Sequence, residues 1–192
     1  KKKKKKYKFK ISKKLSNKFK PDLIFLMNFT KKISDNFLTK NPNTFLVHES
    51  KLPQDKGFAP VAYQILRGKK KIHMSLIKVT KKLDSGDIFE TGSFKLRGYE
   101  LNCEIRKIQA YSKLKLIDKF LKKFPKVKSK KQKGFGNFNK RMTKASSKLD
   151  VDKSLRQQFL RLRIVSNESY PAYFLLKKKK YIIKIFREKN ND

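Results

Sequence analysis

Acidic side chains are scarce in this chain of 192 residues: Asp and Glu number 15 against 53 Lys and Arg, a formal charge of +38. A balance that basic is the electrostatic footprint of a protein that meets nucleic acid or an anionic membrane surface. The other reading is that lysine simply fills solvated positions, since the lysines are spread along the chain and aromatics do not interleave with them as stacking platforms. Cysteine is nearly absent. Cys103 alone excludes an internal disulfide and fits a reducing compartment. Flanked by Leu101 and Ile105, it reads as a packed helical thiol rather than a nucleophile. Long apolar runs are missing too, and none approaches the roughly 20 residues of a membrane span. The six opening lysines are not followed by the apolar core of about 7–15 residues that a secretion signal needs. The expected location is cytoplasmic, and the chain has no internal repeat.

What is present suffices for a core: 38% of residues are hydrophobic, 16 of them Phe. The length allows one ordinary domain with a small appendage. Residues 1–20 form a basic lead-in in which Phe9, Ile11, Leu15 and Phe19 suggest an amphipathic helix from residue 11 onward. Leu23-Ile24-Phe25-Leu26-Met27 is a continuous apolar run, as in a strand buried on both faces of a parallel sheet. A short helix is expected near residues 35–38 and a second strand over 44–47. Pro60 and Gly68 bracket a helix over 61–67. Alternation predicts a strand over 72–79 and another over 87–96. Apolar spacing then predicts a long helix from about Glu100 to the stop at Pro125. Residues 126–150 read as a linker, and 151–192 as a small unit: a helix capped by Asp152, then a hairpin turning at residues 177–180.

The densest chemistry lies in residues 44–88. Thr44-Phe45-Leu46-Val47 delivers His48 at a strand end, the loop Glu49-Ser50-Lys51-Leu52-Pro53-Gln54-Asp55-Lys56-Gly57 follows, and Leu83-Asp84-Ser85-Gly86-Asp87-Ile88 comes one strand–helix–strand unit later. A strand-end histidine and an acidic glycine turn at that separation suggest a site at the carboxyl edge of an open sheet. Taken singly, His48 reads as a satisfied strand-end histidine and Asp84 as a turn former. His73 and Asp87 read as non-catalytic. Ser50 is expected to shape the loop through local backbone hydrogen bonds, and Gly57 to allow close backbone approach to a ligand.

His-x-Ser-x-Leu-Pro-x-x-x-Gly followed by Leu-Asp-Ser-Gly-Asp-Ile resembles the 10-formyltetrahydrofolate-dependent formyltransferases, which act on glycinamide ribonucleotide, methionyl-tRNA and amino sugars. Asn28-Phe29-Thr30-Lys31-Lys32-Ile33-Ser34 is similar to the family's pteridine loop, and Tyr170-Pro171-Ala172-Tyr173-Phe174 to its C-terminal β-unit. The resemblance implies an open, mainly parallel, Rossmann-like α/β sheet over 21–125, N-terminally shortened, with a small C-terminal α+β appendage. It implies that His48 donates to the developing oxyanion and that Asp84 shuttles the proton of the attacking amine. It also implies that 10-formyltetrahydrofolate, the co-substrate, lies against Met27, Phe29, Thr30, Lys31, Ile33, Lys82 and Leu83. Ser50, Leu52, Pro53, Gly57, Ser85 and Gly86 would shape the loops, and no metal is implied. Leu46 departs from the pattern, because the family usually has Asn there to hold the formyl oxygen. Asn28 is the expected substitute. The acceptor implied first is a nucleotide-linked amino sugar, because the loop and compact tail look closer to the sugar enzymes. The alternatives are methionyl-tRNA, or a non-enzymatic relative that binds polyanions by charge.

Overall fold

The computed structural model describes residues 7–16 and 20–188. The helix expected from residue 11 is not there: residues 7–16 are irregular, with Phe9 and Ile11 exposed. Isolated apolar residues among lysines offer no continuous face to bury. Phe19, also part of that expectation, lies outside the described residues.

The elements run β1 (Ile24–Leu26), α1 (Asp35–Lys40), β2 (Thr44–His48), β3 (Lys56–Gly57), α2 (Pro60–Leu66), β4 (Lys71–Lys78) and β5 (Ile88–Lys95). Then come α3 (Asn102–Lys123), β6 (Phe138–Asn139), a 3-10 turn (Lys144–Ser147), α4 (Leu155–Ile164), β7 (Ala172–Leu176) and β8 (Lys179–Ile183). Local chemistry sets many of these limits. Ser34 caps α1 by accepting from Phe37 N–H at 3.2 Å, Pro60 opens α2, and α3 stops just before Phe124-Pro125. Glu104 accepts from the Leu101 N–H at 2.9 Å at the start of α3, satisfying one of the donors a helix start leaves open.

One sheet organises the main domain, with strand order β1-β2-β4-β5. The sheet is open, as expected, but its pairing is mixed rather than mainly parallel. Only β1 and β2 run together; β4 is antiparallel to both β2 and β5. The alternation of Ile72, Met74 and Leu76 fixes which face is buried, not the direction of the strand. Direction comes from the connection. α2 has seven residues, about 10 Å of helix, too short to carry the chain back along the sheet. The chain therefore enters β4 from the end where β2 finished, and His48 pairs with Ser75.

α3 covers one face of this sheet. Phe45, Val47, Ile72, Met74, Leu76, Leu116 and Phe120 form the core, and Phe25, Phe45 and Phe89 meet Phe120 at centroid distances of 4.9–6.0 Å. Cys103 corrects the packed-thiol expectation: it is exposed, because Leu101 and Ile105 are the inward positions of that turn. No helix among the described residues is long and apolar enough to cross a membrane.

The C-terminal unit is tied to the main domain. Ile164 joins the main core, and the buried Arg163 guanidinium reaches the Glu100 carboxylate at 3.1 Å and carbonyl at 3.0 Å. Ser154, not Asp152, caps α4, accepting from the Gln157 N–H at 3.3 Å, so the helix starts at Leu155. The hairpin turns on two residues, Lys177 and Lys178, both with positive φ, and Lys179 and Lys180 extend β8. A two-residue turn of this kind matches the twist of the flanking strands.

Candidate active site

His48 is the last residue of β2 and sits on the sheet face opposite the α3 core, since Val47 points into that core. The ring is buried. Nε2 lies 2.7 Å from the Asp55 carbonyl oxygen, which can only accept, so Nε2 carries the proton. Nδ1 lies 3.6 Å from Asp84 Oδ2. The sequence-predicted pair is thus brought together, but not by two strand ends. β4 ends beside Phe45, at the start of β2, and the loop of residues 79–87 folds back to bring Asp84 to His48.

That loop is held at several points. Asp84 has a positive φ and a buried side chain, and its Oδ2 accepts from the Gly57 N–H at 2.8 Å. Gly57 has φ +90, and a Cβ there would stand 2.5 Å from the Asn139 carbonyl oxygen; both the conformation and the space require glycine. Ser85 Oγ donates to Leu83 O at 3.0 Å, and Thr80 Oγ1 to Lys82 O at 2.9 Å. In the histidine loop Ser50 Oγ donates to Gln54 O at 2.6 Å, while Ser75 Oγ donates to Ser50 O at 2.8 Å. Leu52 is buried, and Pro53 packs against the backbone of Gly136.

Residues 126–150, expected to be a spacer between two units, form part of this site. β6 pairs with β3. Gln132 Nε2 donates to the carbonyls of Asp84 and Gly86 at 2.8 and 2.9 Å. Asn137 accepts from the Asp55 N–H at 2.9 Å. The buried Asp55 carboxylate accepts from Arg67 at 2.5 Å, Asn137 at 3.2 Å and Asn139 at 3.3 Å. Burial alone would raise its pKa, but hydrogen bonds from Asn137 and Arg67 outweigh burial and hold it below the ordinary value. Asp55 is therefore clamped through its side chain while its carbonyl holds His48. Sequence reasoning missed Asp55, Gln132, Asn137 and Asn139. The one available signal was the spacing of Asn137 and Asn139, two apart and so on one face of a strand.

The residues implied for the folate stand in two loops. Met27, Phe29, Thr30 and Lys31 are exposed and Ile33 half-buried in the first; Lys82 and Leu83 are exposed in the second. An ion pair of 2.8 Å between Lys81 and Asp35 ties the second loop to the helix that follows the first. Exposed apolar side chains with ordered backbone groups between them suit a flat heteroaromatic ligand. Asn28 is exposed and lies two residues past the end of β1, with positive φ; its Oδ1 accepts from Lys113 Nζ at 2.7 Å, on the α3 side of the sheet. Leu46 is half-buried and brings no polar group. His73 is half-buried, its pKa lowered by burial and by Lys71, Lys51 and Lys69. Asp87 accepts from Lys78 N–H through its carbonyl, at 3.1 Å. An open hollow bordered by Phe89, Glu90, Lys123, Lys126 and Lys130 shares no residue with the His48 cluster.

The chain is similar to several known proteins. Residues 2–95 match the family described as Formyl transferase. The methionyl-tRNA formyltransferase of Mycoplasmopsis pulmonis is 30% identical over 73% of this chain, which spans 49% of that protein's length. The solved methionyl-tRNA formyltransferase from Clostridium thermocellum superposes with a TM-score of 0.74 at 25% identity, covering 90% of this chain and 74% of that one. A 4-N formyltransferase from Francisella tularensis shares the fold with a TM-score of 0.72 at 19% identity, covering 88% of this chain and 72% of that one. The chain belongs to the formyl transferase family.

Proposed function

We propose that this chain moves the formyl group of 10-formyltetrahydrofolate to the amine of a nucleotide-linked amino sugar. The observation that carries the transfer chemistry is the approach of His48 Nδ1 to Asp84 Oδ2, 3.6 Å apart, beside two loops shaped for a flat ligand. A neutral amine that attacks a formyl carbon must lose a proton. Asp84 Oδ2, steadied by the Gly57 N–H, is the acceptor for it, and His48 Nδ1 is the group with which that oxygen can share it. The Nε2–H of His48, resting on the Asp55 carbonyl, is the donor that turns to the formyl oxygen. The folate derivative supplies the formyl carbon; as the new N–C bond forms, the bond from that carbon to N10 of the folate breaks, N10 takes up the proton held between Asp84 and His48, and tetrahydrofolate leaves. No metal enters this reading.

The amino-sugar acceptor rests on the loop from His48 to Pro53, which resembles that of the sugar enzymes more than that of the tRNA enzymes. A second acceptor, methionyl-tRNA, is favoured by a separate observation: the match to the Clostridium thermocellum enzyme extends over 90% of the chain. The charge of +38 would serve phosphate contacts there. The test is formyl transfer from 10-formyltetrahydrofolate to a 4-amino sugar nucleotide and, in parallel, to methionyl-tRNA. Transfer to the sugar is expected, with Asp84→Asn lowering kcat by about 10²–10⁴. Transfer to methionyl-tRNA alone replaces the acceptor. No transfer to either, or full turnover in Asp84→Asn, rejects the reading.

A further inference from the structure

Behind the His48 face, on the α3 side, lies a second polar cluster that the proton path does not use. Lys113 of α3 and Glu49, the residue after His48, form an ion pair whose side chains are 4% and 10% exposed. Gln109, one turn before Lys113 on the same helix face, donates to the same Glu49 carboxylate oxygen. Lys113 Nζ also reaches Asn28 Oδ1 at 2.7 Å. Four residues from beyond β1, the end of β2 and the middle of α3 therefore share one network, in which Lys113 and Glu49 are buried, Gln109 is half-buried and Asn28 is exposed.

We propose that Lys113 is a positioning residue for formyl transfer: it fixes the direction in which the Asn28 carboxamide faces, and Glu49 holds it in place. An ammonium has three donors and no acceptor. The Asn28 atom against it must therefore be the carbonyl oxygen, and the –NH2 faces away from Lys113. β1 runs parallel to β2, with Leu26 opposite Leu46, so Asn28, two residues past the end of β1, lies at the level of the sheet edge where β2 ends in His48. An amide –NH2 fixed at that level is the donor that Leu46 does not provide. Glu49 has two tasks: it neutralises the buried ammonium, without which burial would be prohibitive, and it ties the network to the residue next to His48. Apolar side chains of similar length would fill the same space at α3, so packing alone does not call for the pair.

This inference rests on the formyl-transfer reading, and its test separates the two. The variants are Lys113→Met and the double Glu49→Leu/Lys113→Met, read by thermal unfolding, by kcat and KM, and by NMR of the Asn28 side-chain amide. Lys113→Met alone should lower Tm, because it leaves Glu49 buried without its cation. The double variant should recover Tm while kcat stays down about 10²-fold, the scale of losing one oxyanion donor. KM for the acceptor should remain near the wild-type value, and adding Asn28→Ala to the double variant should change kcat little. Recovery of both Tm and kcat in the double variant would overturn the proposal, as would an Asn28→Ala effect that multiplies with that of Lys113→Met. If the wild-type chain transfers no formyl group at all, the functional reading falls, but the NMR still decides about Lys113. The ammonium on the Asn28 carbonyl oxygen should set the shifts of the side-chain –NH2 resonances in the wild type, and Lys113→Met should lose that signature. A signature unchanged by the substitution rejects the positioning role.

Discussion

Asp55→Ala is the perturbation that bears most directly on how the site is held. The carboxylate is 5% exposed and takes hydrogen bonds from Arg67, Asn137 and Asn139 through one oxygen. A hydrogen bond to a charged group contributes about 1.5–3 kcal/mol, and a buried donor left unsatisfied costs about 1–3 kcal/mol. Arg67 is 41% exposed and can return to water, so its share falls toward the lower end. Asn139 is buried and bears the desolvation cost in full. The expected loss is about 3 kcal/mol, read as a lower urea midpoint with an unchanged slope. The pH dependence follows from the lowered pKa. The stabilisation is fully present above the unfolded-state value, near 3.8, and is lost as pH falls through the lower folded-state value. The difference between wild type and Asp55→Asn should therefore be constant near neutrality and shrink only in acid, below about pH 4. A second consequence reaches the chemistry. With residue 55 loosened, the His48 ring should lose its fixed Nε2–H tautomer, visible in the imidazole ¹⁵N shifts. An unchanged urea midpoint, a gap that widens on acidification, or an unaltered tautomer would each refute the clamp.

Two further outcomes follow from single positions. Gly86→Ala would place a Cβ 1.8 Å from the Lys78 carbonyl oxygen, so the loop carrying Asp84 has to move; the folded variant should lose most of its turnover, and wild-type kcat would show that the loop tolerates the shift. Leu46→Asn restores an amide on the His48 face, and turnover should rise or stay level; a clear loss in a protein that still folds would show that no donor is wanted there.

The local elements were legible because their signals sit in near neighbours. An apolar run marks β1, Pro60 and Gly68 mark the limits of α2, Pro125 stops α3, and alternation marks β4. The same proximity made His48, Asp84 and the two loops recognisable, since the motif is short and contiguous. Where a local signal was thin, the reading slipped: Asp152 and Ser154 both suit a cap, and the reciprocal bonds with Gln157 select Ser154.

What the sequence by itself determined is where the strands of the main sheet and the helices α1 to α4 form, and that His48 and Asp84 belong to one site. The tertiary structure decided the direction of β4, because that depends on how far a seven-residue helix can carry the chain. It also decided that the loop of residues 79–87 folds back onto His48. The Asp55 clamp joins residues 82 and 84 positions apart, and Lys113 meets Asn28 across 85. At such separations no periodicity connects the partners; only the path of the whole chain does. Among 53 basic residues, the buried Lys113 carries no local mark that sets it apart. Packing α3 against the ends of β1 and β2 takes this lysine out of water, and there its charge requires Glu49.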